Sequence, residues 1–161
     1  MWRPIWRGEA LPEEGPLLAY GNGRSQGDVA LLGQGTLLDM RGLNRFVAVD
    51  WVAGTITCEA GVLLRDILAV VVPKGWMLPV TPGTGFVTVG GAIANDVHGK
   101  NHHKVGSFGH HVAGLTLRRG DGAVMVCSAT ENKGMFRATL GGLGLTGLIE
   151  TATLRLQRIE S

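Results

Sequence analysis

Cysteine is scarce in this chain. Cys58 and Cys127 are the only two, and each falls within β-like alternation, TITCEA and AVMVC. An intracellular protein of this size gains little from one disulfide, so both are read as buried free thiols in preference to a disulfide. Aromatic residues make up only 6% of the chain, the net charge is +2, and the lysines and arginines form no stripe. A nucleic-acid surface needs clustered cations with aromatics between them, so none is expected here. Small anionic ligands remain open. Long apolar runs are also missing. The longest, Ile67 to Pro73, falls far short of the ~20 residues that span a bilayer. The opening MWRPIWRGEALPEEG holds no apolar signal core, so the expectation is a cytoplasmic chain with no transmembrane segment.

Glycine, by contrast, is abundant. The 161 residues include 26 glycines, more than twice the roughly 7% of average usage, which predicts many short elements joined by turns. The length suits one domain with a full hydrophobic core, and no repeat, low-complexity tract or Pro/Gly/Ser linker divides it. The domain is taken as residues 1–161, with about the first sixteen loosely held. Trp2 and Trp6 are expected to pack on the domain or on something outside it.

Short apolar runs bounded by turn residues predict strands at Leu17 to Tyr20, Thr36 to Met40, Phe46 to Asp50, Thr55 to Glu59, Leu115 to Arg118, Ala123 to Cys127 and Gly147 to Leu156. Two pairs have hairpin spacing, FVAVD with TITCE and LTLRR with AVMVC. Helical spacing appears at Leu63, Leu64, Ile67, Leu68 and Val71, ended by Pro73 and Gly75. A short helix is expected over Val89 to Asn95, and a third over Glu131 to Thr139 with Thr130 as its cap and Gly141-Gly142 as its stop. The fold class is therefore α+β.

Two segments carry chemistry. In Val80 to His103, VTPGTGFVTVGGAIANDVHGKNHH, five glycines stand among polar and titratable side chains. In Tyr20 to Asp28, YGNGRSQGD, Gly21, Gly23 and Gly27 bracket Arg24, Ser25 and Gln26. Clustered backbone N–H groups in such loops form anion-binding concavities, and a guanidinium adds a fork for phosphate oxygens. Two cradles suggest a diphosphate, while a plain solvent turn is the alternative for the shorter loop. His98, His102 and His103, with Asp96 beside them, invite a metal reading. Lys100 and Lys104 would set positive charge next to that cation, so an anionic or electron-rich ligand suits the segment better and no metal is expected. His110 and His111 are equally well explained as a surface pair leading into a strand. Ser107, in GSFG, is expected to tighten a turn or reach a ligand. The spacing of Gly142 to Gly147 matches G-x-G-x-x-G, but a helix precedes it and a strand follows, the reverse of a dinucleotide fold. It reads instead as a tight helix-to-strand connection.

Taken together, GNGRSQGD, PGTGFVTVGGAIANDVHGKNHH, GSFGHHV and ATLGGLGLTGLI resemble the FAD-binding domain of the vanillyl-alcohol oxidase and p-cresol methylhydroxylase superfamily, above all its decaprenylphosphoryl-ribose oxidase-like branch. The resemblance runs from about Leu17 to Leu156. It implies two α+β subdomains, short helices on mixed sheets, with FAD between them. By position, Gly21, Asn22, Gly23, Arg24, Ser25, Gln26 and Gly27 match the first pyrophosphate loop. Gly83, Thr88, Val89, Gly90, Gly91, Asn95, Asp96 and His98 match a second stretch of flavin contacts, and Ile149 a contact near the adenine-ribose end. Relatives with covalent flavin commonly carry it on a histidine in the first loop; Arg24-Ser25-Gln26 stands there, so the FAD is expected to be non-covalent. The resemblance also implies a role for His98 in polarising or positioning near the isoalloxazine and for Lys100 in substrate contact. The expected chemistry is hydride transfer from a hydroxyl-bearing carbon of a sugar or polyol to flavin N5. Gln26 departs from the tyrosine usual in relatives. Family enzymes continue into a substrate-capping domain, so a missing cap or a homodimer over the cap-facing surface is expected, with poor turnover by the chain alone. A non-catalytic flavin module is the alternative.

Overall fold

The fold was analysed in a computed structural model, which describes residues 1–159. The strands are β1 (Leu17–Tyr20), β2 (Thr36–Asp39), β3 (Phe46–Asp50), β4 (Thr55–Glu59), β5 (Trp76–Met77), β6 (Val112–Arg118), β7 (Val124–Ser128), β8 (Leu148–Arg155) and β9 (Gln157–Arg158). The α-helices are α1 (Leu64–Val71), α2 (Val89–Ala94), α3 (His102–Val105) and α4 (Lys133–Thr139).

A five-stranded sheet of order β3-β4-β8-β6-β7 forms the body, and every pairing in it is antiparallel. β1 pairs parallel with β2, Trp2 adds an isolated parallel bridge to Leu38, and β5 pairs antiparallel with β9. Each sheet is thus of one kind, where mixed sheets were expected. Both expected hairpins form: Val49 faces Ile56, and Leu117 faces Met125. Period-two burial along β4 and β6 sets Ile56, Cys58, Leu115 and Leu117 into the core.

The helices cover the sheet because their apolar residues fall on one face. In α1, Leu64, Ile67 and Val71 are buried at spacings of three and four, each contributing roughly 1.5–3 kcal/mol by leaving water. Gly75, at φ 78°, closes the following turn in the left-handed conformation. Helix α4 starts later than its sequence implies. Ser128 Oγ accepts from the Thr130 and Glu131 amides, so that segment becomes a turn and Asn132, left-handed at φ 47°, precedes the helix instead of Thr130 capping it. Two buried clusters result. The larger lies between the main sheet and α1, α2 and α4; the smaller, around Leu38, Met40, Leu43 and Leu148, packs against Trp2, Leu11 and Leu17.

The N-terminal residues, expected to be loosely held, are docked. Trp2 donates to Leu37 O at 2.9 Å and its carbonyl accepts from Asp39 N at 2.7 Å. Arg3 pairs with Asp39 and Arg7 with the buried Glu59, while Arg45 stacks over the Trp6 ring at 4.0 Å. Among the described residues no helix is long and apolar enough to cross a membrane.

Candidate functional site

The loop after β1 and the start of α2 meet at a single close approach. A β-carbon at Gly21 would stand 2.5 Å from Thr88 Oγ1, so only glycine lets the two segments touch. Thr88 is buried, and its Oγ1 accepts from Gly91 N at 3.1 Å, capping α2. One residue on, Asn22 Nδ2 donates to Phe86 O at 2.8 Å and Asn22 Oδ1 accepts from Arg41 at 3.4 Å. Gly23, at φ 60°, turns the loop back where a β-carbon would run into the Tyr20 hydroxyl.

These contacts border a cleft of about 190 Å³ at the junction of the two core clusters. Its walls are the loop from Tyr20 to Ser25 with Val29 and Ala30, the segment Val87 to Val97 in part, and Leu143, Gly144, Gly147 and Ile149. Arg24 is the only charged side chain in that lining, and it makes no hydrogen bond among the described residues. The N–H groups of Asn22 to Gln26 likewise donate to no protein atom among the described residues. A run of free amides beside one unpaired guanidinium, with no carboxylate in the wall, is a donor set for a phosphate-type anion.

At the start of α2, in the second glycine-rich stretch, three amides are bonded within the protein. Val89 N donates to Val62 O, Gly90 N to Ala60 O and Gly91 N to Thr88 Oγ1. These three amides are consumed in seating α2, so the start of that helix supplies close approach and shape, whereas the amides of Asn22 to Gln26 are left as donors.

Of the residues singled out from sequence, the cleft brings together Gly21, Asn22, Gly23, Arg24, Ser25, Thr88, Gly90, Gly91, Asn95 and Ile149. Gln26, Gly27 and Gly83 lie outside its lining, and Val89 is buried in the larger core. Asp96, left-handed at φ 42°, accepts from Gly109 N at 2.7 Å. It therefore braces the turn before β6. His98 and Lys100 are exposed on the segment leaving α2. The His98 ring meets His102 edge-on at 5.2 Å, and His102 meets His103 at 5.8 Å. His102 Nδ1 bonds Gly99 O at 3.2 Å, and His110 Nδ1 accepts from Ser107 N at 3.3 Å while pairing with its Oγ at 3.0 Å. Ser107 thus tightens a turn. Among the described residues no three His, Cys, Asp or Glu side chains converge as a metal group.

Under the cleft, Asp39 is fully buried between two guanidiniums. Arg41 Nε reaches Oδ1 at 2.7 Å, and Arg3 Nε reaches Oδ2 at 2.8 Å. Burial by itself pushes this carboxyl up, but the hydrogen bonds from Arg41 and Arg3 outweigh it and hold the group down at about 2. The pair fixes Arg41, which shares Asn22 and lies 5.9 Å from the Tyr20 ring centre. Both cysteines are buried and free. Burial, reinforced by the Glu59 charge, pushes the Cys58 thiol up to about 12, and burial raises Cys127 as well.

Sequence reasoning missed Leu143, Gly144 and Gly147 as cleft wall. The helix-to-strand connection it described is real, running from α4 to β8. A leucine flanked by glycines was the available signal.

Comparison with known proteins gives a match to a family model described as FAD binding domain over residues 9–128. The chain is 44% identical over 146 residues to a decaprenylphosphoryl-beta-D-ribose oxidase of Mycolicibacterium smegmatis, covering 90% of this chain and 32% of that protein. It is 36% identical over 135 residues to an L-gulonolactone oxidase of Mus musculus, covering 84% and 30%. It is 26% identical over 135 residues to a D-lactate dehydrogenase of Anaerostipes hadrus, covering 81% and 28%. The chain spans about a third of the length of the relatives it matches.

Proposed function

The chain belongs to the FAD binding domain family, and on that footing we propose that it holds FAD non-covalently through the loop after β1, as the cofactor-binding part of an oxidoreductase acting on a hydroxyl-bearing carbon of a sugar or polyol. One observation carries this reading: Asn22 to Ser25, whose amides donate to no described protein atom, and the unpaired Arg24 side chain line a cleft that lacks any carboxylate. FAD is anionic at its centre and aromatic at both ends, and the cleft offers donors for the one and apolar surface for the other. Its 190 Å³ is below the ~300–1,000 Å³ of sites that engulf a small molecule, so the cleft grips part of a dinucleotide and leaves the rest to neighbouring surface.

When bound, FAD supplies the acceptor for the hydride taken from the substrate carbon. The residues of this chain bind and orient. Arg24 and the loop amides neutralise the diphosphate, Gly21 and Thr88 hold the loop against α2, and Ile149 borders the adenine-ribose end. Arg24, Ser25 and Gln26 offer no imidazole for a covalent tether, and Gln26 and Gly27 carry the loop back out. Gly83 shapes the approach to α2, and Asp96 sets the exit from it. His98 positions the reacting group, and Lys100, beside the other imidazoles, attracts a hydroxyl-rich or phosphorylated substrate. The two core clusters support a reading as two subdomains with the cofactor between them. The relatives named as ribose and gulonolactone oxidases support the sugar class. A capping segment or a second copy over the cleft mouth belongs to the same reading, supported by the exposed Val29 in the cleft lining; sizing with and without FAD distinguishes the two.

The test is titration of the purified chain with FAD, followed by flavin fluorescence. Arg24→Ala removes a charge-assisted contact of roughly 1.5–3 kcal/mol, an affinity loss of about ten- to a hundredfold, and Gly91→Val places a branched side chain in the cleft wall. Unchanged binding in both variants would refute the proposed site.

A further inference from the structure

Leu143 sits in a backbone conformation that does not suit it. Its φ is 52°, in the left-handed region that glycine enters freely and a residue with a β-carbon avoids. Gly141, Gly144 and Gly147 in the same connection also have positive φ, so glycine was used at three such positions and leucine at the fourth. The backbone shape does not require the leucine. It is pinned by Leu143 N donating to Ala94 O at 2.9 Å and Gly141 N to Ile93 O at 3.0 Å, bonds that glycine would make equally well.

The core does not require it either. Leu143 belongs to neither buried cluster and is 43% exposed. An apolar side chain held in a costly conformation, serving neither backbone nor core, indicates a contact made with something else. Leu143 lines the cleft together with Val29, Val97 and Ile149. Arg24 and the free amides answer to an anion, but a nucleotide's flat ring needs apolar surface. We propose that Leu143 is a cofactor-binding residue whose side chain packs against a ring of the flavin nucleotide held in this cleft. The inference rests on FAD occupying that cleft.

The test uses Leu143→Asn and Leu143→Gly, which remove the apolar side chain and suit positive φ, with Leu143→Met as the variant that keeps an apolar chain. The melting temperature of the FAD-free Asn variant should not fall, because the left-handed conformation is no longer disfavoured. The dissociation constant for FAD should rise about tenfold in the Asn and Gly variants, the loss expected for one apolar contact. The Met variant should stay within about threefold of the parent. Titration with ADP then locates the ring: a matching loss puts the contact at the adenine end, and unchanged ADP binding with weakened FAD puts it at the isoalloxazine end. Either result supports the proposal. FAD affinity unchanged in the Asn and Gly variants overturns it, as does a drop in FAD-free stability large enough to account for weaker binding. A parent chain that binds no FAD would instead overturn the cofactor-site reading itself, so the two failures are distinguishable.

Discussion

Substituting Gly21 by alanine tests how the two glycine-rich segments are joined. The added β-carbon would lie 2.5 Å from Thr88 Oγ1, where ordinary contact begins near 3.4 Å. Thr88 has little room to yield, being 2% exposed with its hydroxyl engaged by Gly91 N at 3.1 Å. Rotating it away would strip the cap from α2, a cost of about 1 kcal/mol. Leaving it in place would push the loop off the helix at the roughly 1–3 kcal/mol of an overpacked contact. Either way the FAD-free chain should lose about 1–3 kcal/mol in urea unfolding, and FAD should bind at least tenfold more weakly because the loop amides shift with the loop. Thr88→Ala provides the control. It removes the clashing oxygen, and the next contacts, at 3.6 Å, are ordinary. In a double-mutant cycle the cost of Gly21→Ala should therefore fall by about 1 kcal/mol in the Thr88→Ala background. Additivity within about 0.5 kcal/mol, or a Gly21→Ala chain as stable as the parent, would refute the contact.

Acid should expose the buried ion cluster. The Asp39 carboxyl is lowered from 3.8 to about 2, so its stabilisation is complete above pH 4 and is lost as pH falls from about 4 to 2. The full effect is roughly 2 kcal/mol, and the pH dependence of urea midpoints should flatten over that window in Asp39→Asn. Thiol reagents should label neither Cys58 nor Cys127 in the folded chain and both after unfolding, since burial keeps the thiols protonated; rapid labelling of native protein would contradict that burial. Asp96→Ala should destabilise the turn at Gly109 by about 1–3 kcal/mol by orphaning its amide, while Asp96→Asn, which keeps an acceptor and tolerates positive φ, should recover most of it in thermal melts.

Local pattern made part of this molecule readable. FVAVD and TITCE alternate around a turn, so their hairpin follows from period two, and Leu64, Ile67 and Val71 mark the buried face of α1. Long-range partners were not readable. Nothing near Arg3 announces Asp39, 36 residues on, which is why the docked N-terminus was read as loose. Pairing of β1 with β2 in parallel, rather than across a hairpin, is likewise decided by the smaller core. The glycine pattern marked segments that border the cleft but could not say which of their amides are free. Whether an amide is free depends on carbonyls such as Ala60 O and Val62 O, which only the folded chain brings to α2. Leu143 was passed over because its glycines were explained as a connection, and its strained φ is not visible in one dimension.

Amide spectra of the ¹⁵N-labelled chain during FAD titration address the central claim most directly. The account predicts that the amide protons of Asn22 to Gln26 shift downfield and gain protection from exchange as they acquire phosphate acceptors, while those of Val89 to Gly91, already bonded within the protein, change little. Saturable FAD binding that leaves Asn22 to Gln26 unmoved, with the perturbation centred elsewhere, would contradict it.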